Sequence, residues 1–174
     1  MTTFAMLALL FGADLESLVA EDVNAYRYSQ GLVECVIDDR LSHAASLHVE
    51  WLAFSASGQG RKYDYPKTDH NTNADWLMIF HPELRWEILT LRYSGQLPEQ
   101  LGAFDLAALC GYDGGFLGDI GYFGKRPSSV DVVSFWIGSP GHRRYLDWPT
   151  MRAMGVAKGP VGGKTAVFCF LAEP

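Results

Sequence analysis

The sequence predicts an α+β fold built in layers, on three observations. Helical apolar periodicity comes early in the chain, strand-like runs gather late, and strands do not alternate with helices as a parallel α/β sheet needs. A length of 174 residues, 48% hydrophobic and 20% charged, suits one domain with a core that needs no staples.

Each element has its own signal. Asp14 can cap a helix in which Leu15, Leu18, Val19, Val23 and Tyr26 follow helical spacing, with Gly31 as its stop. Its acids Glu16, Glu21 and Asp22 lie early and Arg27 late, as the helix dipole favours. A short apolar piece, Leu32 to Ile37, comes next. Asp38 or Asp39 then caps a second helix with Leu41, Ala45, His48 and Leu52 on one stripe, ended by Gly58 and Gly60. Residues 55–73 are polar and turn-rich, which predicts a long surface loop. Residues 74–95 have a period that fits helix or strand, split by Pro82.

A third helix is expected from about Pro98 to Cys110, ended by Gly111, and a glycine-punctuated strand from Phe116 to Phe123. Ser128 or Ser129 opens a fourth helix carrying Val130, Val133, Phe135, Trp136 and Ile137. Ser139-Pro140 reads as a further helix start, with the serine as cap. Two strands close the chain, Met151 to Lys158 and Lys164 to Leu171, with residues 159–163 as the turn. No internal repeat or low-complexity tract interrupts them.

Charge and cysteine usage narrow the function classes. A net charge of −6, with no basic run longer than two residues, argues against a nucleic-acid surface. Cys35, Cys110 and Cys169 form no C-x-x-C pair, so zinc-knuckle and thioredoxin motifs are excluded, and three free thiols are expected. The apolar run Phe4 to Phe11 is too short for a membrane span. No Lys or Arg precedes it, so it makes no convincing cleavable signal. We expect it to be retained and packed on the domain or on a neighbouring chain.

Most catalytic motifs fail. Gly114-Gly115-x-x-Gly118 lacks the helix that would make it a phosphate loop, and neither G-x-S-x-G nor H-E-x-x-H occurs. His43 and His48 are five apart, the wrong offset for sharing one metal, and His48 on an apolar stripe reads as a core histidine. Asp119, Ser139 and His142 remain as a sparse polar set. A histidine in the first turn after Ser-Pro either supports a pocket or bonds to the helix start.

Several blocks then carry a resemblance. Asn24-Ala25-Tyr26-Arg27 with Gly31-Leu32, the helix Asp39 to Ala53, Phe104-Asp105 through Gly111-Tyr112, and Val132 to Arg144 with its Ser139-Pro140-Gly141-His142-Arg143 occur in order. Met154-Gly155-Val156-Ala157 comes after them. The ordered set resembles the CAP superfamily of cysteine-rich secretory proteins, antigens and pathogenesis-related proteins, in its bacterial branch. That resemblance implies a three-layer α-β-α sandwich with a mostly antiparallel central sheet. It also implies a cleft lined by two histidines and two acids. His142 matches the second histidine, and Asp119, in Gly118-Asp119-Ile120, stands where the family has the Glu of GENI. Ser139 takes the other acid's place. His70 is the candidate for the first histidine, with His81 its rival.

Asp is one methylene shorter than Glu, which loosens a metal or catalytic geometry by about an ångström. The resemblance therefore implies a non-enzymatic domain, without cofactor or metal, whose cleft of His142, Asp119, Ser139 and His70 binds a ligand or protein partner outside the cell or on a surface. Two other classes stay open: an assembly component of a larger particle, such as a virion decoration or tail protein, and a metal-dependent hydrolase. The chain reads as one domain over 1–174, with a non-family segment at about 1–13 and an insertion around 55–100. In those two stretches Phe4, Leu7, Leu10 and Phe11, and Trp76, Ile79, Phe80 and Trp86, need cover. Contact with another chain, a protein partner or self-assembly, is expected for at least one of them. Neither nucleic acid nor a membrane span is expected.

Overall fold

A computed structural model describes residues 14–57, 72–115 and 117–174. The N-terminal segment 1–13 and most of the loop after the second helix, His70 included, lie outside the described residues, as do the expectations placed on them.

Helix α1 (Leu15–Ser29) starts where Asp14 accepts from the backbone N–H of Ser17 at 2.9 Å, and ends before Gly31 at φ 73°. The strand β1 (Val36–Ile37) is short, and α2 (Asp39–Ala56) begins on Asp38, whose carboxylate accepts from Arg40 and Leu41. α2 ends two residues before Gly58, capped by Ser57.

The ambiguous stretch 74–95 is helical. It forms α3 (Ala74–Phe80), a 3-10 turn over Pro82–Leu84, and α4 (Arg85–Tyr93). Two-residue strands β2 (Thr72–Asn73) and β3 (Gln100–Leu101) pair antiparallel and tie its two ends together. The helix expected from Pro98 starts later, as α5 (Ala103–Leu109), because Gln100 and Leu101 are drawn into that ladder.

Then come β4 (Leu117–Gly124), α6 (Ser129–Gly138), α7 (Pro140–Leu146), β5 (Ala153–Val161) and β6 (Lys164–Ala172). Ser128 caps α6 in a capping box with Asp131. The last turn is tighter than expected. It needs only Gly162 and Gly163, at φ 56° and 80°, the left-handed pair of a two-residue hairpin turn. β1 pairs only with Ala153 and Met154, so beyond them β5 has no partner on that side among the described residues. Pro160 can therefore stay in β5, where nothing on that side misses a proline N–H.

The sheet runs β1-β5-β6-β4 and is mixed: β1 pairs parallel with β5, while β5–β6 and β6–β4 are antiparallel. β6 is its spine. Val167, Cys169 and Leu171 enter one core with Val19, Val23, Val132 and Trp136 of α1 and α6. Ala166, Phe168, Phe170 and Ala172 enter the other, with Leu41, Leu47 and Leu52 of α2 and Leu106 of α5. Burial on both faces explains why this strand reads as an unbroken apolar run. The three layers are thus α1/α6/α7, sheet, and α2/α5 with the insertion. Gly155 lets α2 lie directly on β5, since a Cβ there would sit 2.1 Å from Ser42 N.

The polar residues of the α1 block hold the fold. Asn24 donates to Cys35 O at 2.9 Å and accepts from Cys35 N at 2.8 Å. Tyr26 donates to Asp147 Oδ1 at 2.7 Å. Arg27 is fully buried. Its guanidinium donates to the carbonyls of Val33 (3.0 Å), Leu146 (2.7 Å), Trp148 (3.1 Å) and Met151 (3.0 Å). It therefore does far more than complement a helix dipole.

His48 is a core histidine: buried, with Nδ1 3.0 Å from Thr72 Oγ1 and its ring edge-on to Phe168 at 4.6 Å. The three cysteines carry free thiols. Burial pushes Cys110 up to about 11 and raises Cys35 and Cys169 as well. In the insertion, only Trp76 of the four apolar side chains is buried, stacked on Phe80 and tilted against Trp51 and Phe54. Ile79, Phe80 and Trp86 remain exposed.

Candidate functional site

Among the described residues β4 is the free edge of the sheet, and the two family positions that the sequence singles out flank it. Asp119 pairs in register with Phe170, which stands beside Gly155 on the next strand. Partners opposite one another in antiparallel strands share a face. That row therefore projects towards α2, the side on which His48 packs against Phe168 and Phe170. Asp119 is half-buried there.

His142 arrives on the other side. Gly118, one residue before Asp119, faces α7, where a Cβ would sit 2.2 Å from Tyr145 Cδ1. The bare backbone at Gly118 lets Tyr145 rest on the strand and sets α7 along it. His142, in the first turn of α7, is half-buried with its ring 5.5 Å from that of Phe135. Phe135 in turn meets Tyr122 of β4 at 5.3 Å. Trp136 donates its indole N–H to Gly121 O at 3.0 Å, which locks α6 to the same strand. Asp119 and His142 thus approach the edge of β4 from its two faces.

Ser139 is half-buried at the junction of α6 and α7. The expectation that its hydroxyl caps α7 is not met: the helix start has no side-chain cap, and Ser139 contributes its backbone instead, its carbonyl accepting from Arg143 N at 2.8 Å. Pro140 with its preset φ opens the helix.

His81 has a structural explanation. Its Nε2 lies 3.3 Å from Glu50 Oε2 on α2 and its Nδ1 3.2 Å from Glu83 Oε1, with the ring against Trp76 at 5.1 Å. It pins the insertion to α2. Among the described residues, no group of three His, Cys, Asp or Glu is placed to hold a metal ion, and no helix is long and apolar enough to cross a membrane. Sequence reasoning did not single out the carbonyl-binding role of Arg27 or the brace formed by His81; the Asn-Ala-Tyr-Arg block was the available signal for the first.

Comparison with known proteins places this geometry. The model of the cysteine-rich secretory protein family, CAP, matches residues 20–171. The fold is similar to that of an outer surface protein from Borrelia burgdorferi, with TM-score 0.54 and 12% identity over 90% of both chains. An extracellular protein containing a SCP domain from Bacillus anthracis matches with TM-score 0.59 and 14% identity, over 92% of this chain and 40% of that one. A cysteine-rich secretory protein from Staphylococcus aureus matches with TM-score 0.55 and 13% identity, over 90% and 37%. No curated protein sequence matches. The three-layer fold and the family match along most of its length agree: this chain belongs to the cysteine-rich secretory protein family, CAP.

Proposed function

We propose that the chain is a single CAP-type domain that binds a ligand or protein partner without catalysing a reaction, in a cleft at the free edge of β4 and in an extracellular or surface setting. The observation that carries this reading is the pair of half-buried polar groups, Asp119 and His142, set at that edge among aromatic rings. A few polar groups on largely apolar walls is the composition of a binding cleft. His70 joins them on this reading. Ser139 in place of an acid, and an aspartate in place of a glutamate, leave a donor set better suited to binding than to metal chemistry. The surface setting is supported by relatives described as an outer surface protein and an extracellular protein.

The test is an NMR screen of the full chain against a fragment library and, separately, against zinc chloride. Fragment hits that shift Asp119, Ser139 and His142 together support the cleft. Hits confined to other surfaces, or zinc-dependent ester hydrolysis lost in His142→Ala, would favour other readings.

A second reading, assembly through the insertion, rests on Trp86 and Tyr93 of α4, 79% and 90% exposed and seven residues apart on one helix. Large exposed aromatics of this kind mark interfaces. Sedimentation of the full chain beside a Trp86→Ser/Tyr93→Ser variant tests it.

A further inference from the structure

We propose that the root of the insertion encloses a buried water site, bonded by the side chains of Asn73, Trp76 and Gln100. The β2–β3 ladder places Asn73 directly opposite Gln100. Such partners stand on one face with Cβ atoms about 4.5–5.5 Å apart. Trp76 is three residues further on, and its backbone N–H donates to Asn73 Oδ1 at 3.0 Å. That bond occupies the amide oxygen of Asn73 and leaves Nδ2 as a donor that nothing among the described residues receives.

The other two side chains repeat the pattern. Asn73 Nδ2, Trp76 Nε1 and both amide atoms of Gln100 are buried with no hydrogen-bond partner among the described residues. Asn73 is 0% and Trp76 4% exposed. Trp76 belongs to the apolar core that also holds Ala74, Leu77, Ile88 and Leu101. Fewer than about one in ten buried polar groups goes unbonded in folded proteins, so three such residues at one corner of a fold indicate a shared occupant.

Water has the complementary set of bonds. Its two lone pairs accept from Asn73 Nδ2 and Trp76 Nε1, and one of its hydrogens goes to Gln100 Oε1, the three bonds typical of an internal water. Because each of these atoms is sealed from bulk solvent, the site suits water rather than a larger ligand. The same sheet segment carries Thr72, the anchor on His48, so this water braces the backbone behind the proposed cleft without lining it.

The experiment uses the full chain with nitrogen-15 tryptophan. A cross-peak between long-lived water and the indole N–H of Trp76, assigned by its loss in Trp76→Phe, is the expected result. In parallel, Gln100→Met removes one of the water's bonds and should lower the melting temperature by about 2–4 °C. A dry site predicts the opposite sign, since the variant would then remove a buried amide that bonds to nothing. Absence of the water cross-peak, or a melting temperature raised by Gln100→Met, overturns the proposal.

Discussion

Replacing Arg27 by leucine removes the guanidinium that gathers four carbonyls from the end of α1, the end of α7 and the approach to β5. Val33 and Trp148 are exposed residues whose carbonyls can turn to water. Leu146 is fully buried and its carbonyl would be left without a donor, whereas the carbonyl of Met151 keeps a bond from Arg152 Nη1 at 2.7 Å. With one buried acceptor stranded, the expected loss is about 1–3 kcal/mol. That is a sizeable share of the roughly 5–15 kcal/mol of a typical domain. Arg27→Lys keeps the charge but replaces a planar fork by one compact ammonium, which cannot span four acceptors, so it should lose about half as much. Urea unfolding followed by tryptophan fluorescence reads both, with an unchanged slope showing that the unfolded state is the same. A leucine variant as stable as wild type would refute the claim that carbonyl satisfaction by Arg27 seats α7.

Three further outcomes come from the packing and the charges. Gly155→Ala puts a Cβ 2.1 Å from Ser42 N and 2.2 Å from Leu41 C, backbone atoms that cannot rotate away. It should cost about 1–3 kcal/mol by thermal melting, and a neutral result would mean that α2 lies less tightly on β5 than described. Asp38, held low first by its bond with Arg40 and also by the α2 backbone N–H groups it caps, has a folded pKa below its unfolded one. Its contribution is therefore present above about pH 4 and fades as pH falls through the lower, folded value. Asp38→Ala should accordingly cost about 1 kcal/mol at pH 7 and little near pH 2, and an equal penalty at both would contradict the assignment. With all three cysteines unbonded and their thiols raised by burial, a disulfide-exchange reagent at pH 8 should modify almost nothing in the native chain and three thiols in urea; two or fewer in urea would reveal a disulfide.

Much of the fold is legible in local chemistry. Asp14, Asp38 and Ser128 stand directly before their helices because each oxygen satisfies N–H groups that the helix cannot. β6 announces itself by an apolar run too short for a helix and buried on both faces. What local reading misses depends on partners distant in sequence. Gln100 and Leu101 have no strand signal of their own and become a strand only because Thr72 and Asn73 lie opposite. Residues 74–93 fold as two helices because Trp76, Leu77, Leu84 and Ile88 bury against α2 and α5, contacts that no period within the segment reveals. The candidate site divides in the same way. His142 is marked by its Ser-Pro-Gly-His-Arg block, whereas the side of β4 that Asp119 takes depends on its register with Phe170, and Arg27 shows its role only once α7 and β5 are folded beside it.

On the proposed reading, Asp119, His142 and His70 serve one cleft around the edge of β4. The most direct measurement is the set of histidine ring resonances in the Asp119→Asn chain, an isosteric change that removes the charge and turns one acceptor oxygen into an amide donor. A shared cleft predicts that the rings of His142 and His70 move while that of His43, exposed on α2, stays in place. Unmoved resonances at both His142 and His70, in a variant with a wild-type melting temperature, would contradict the account.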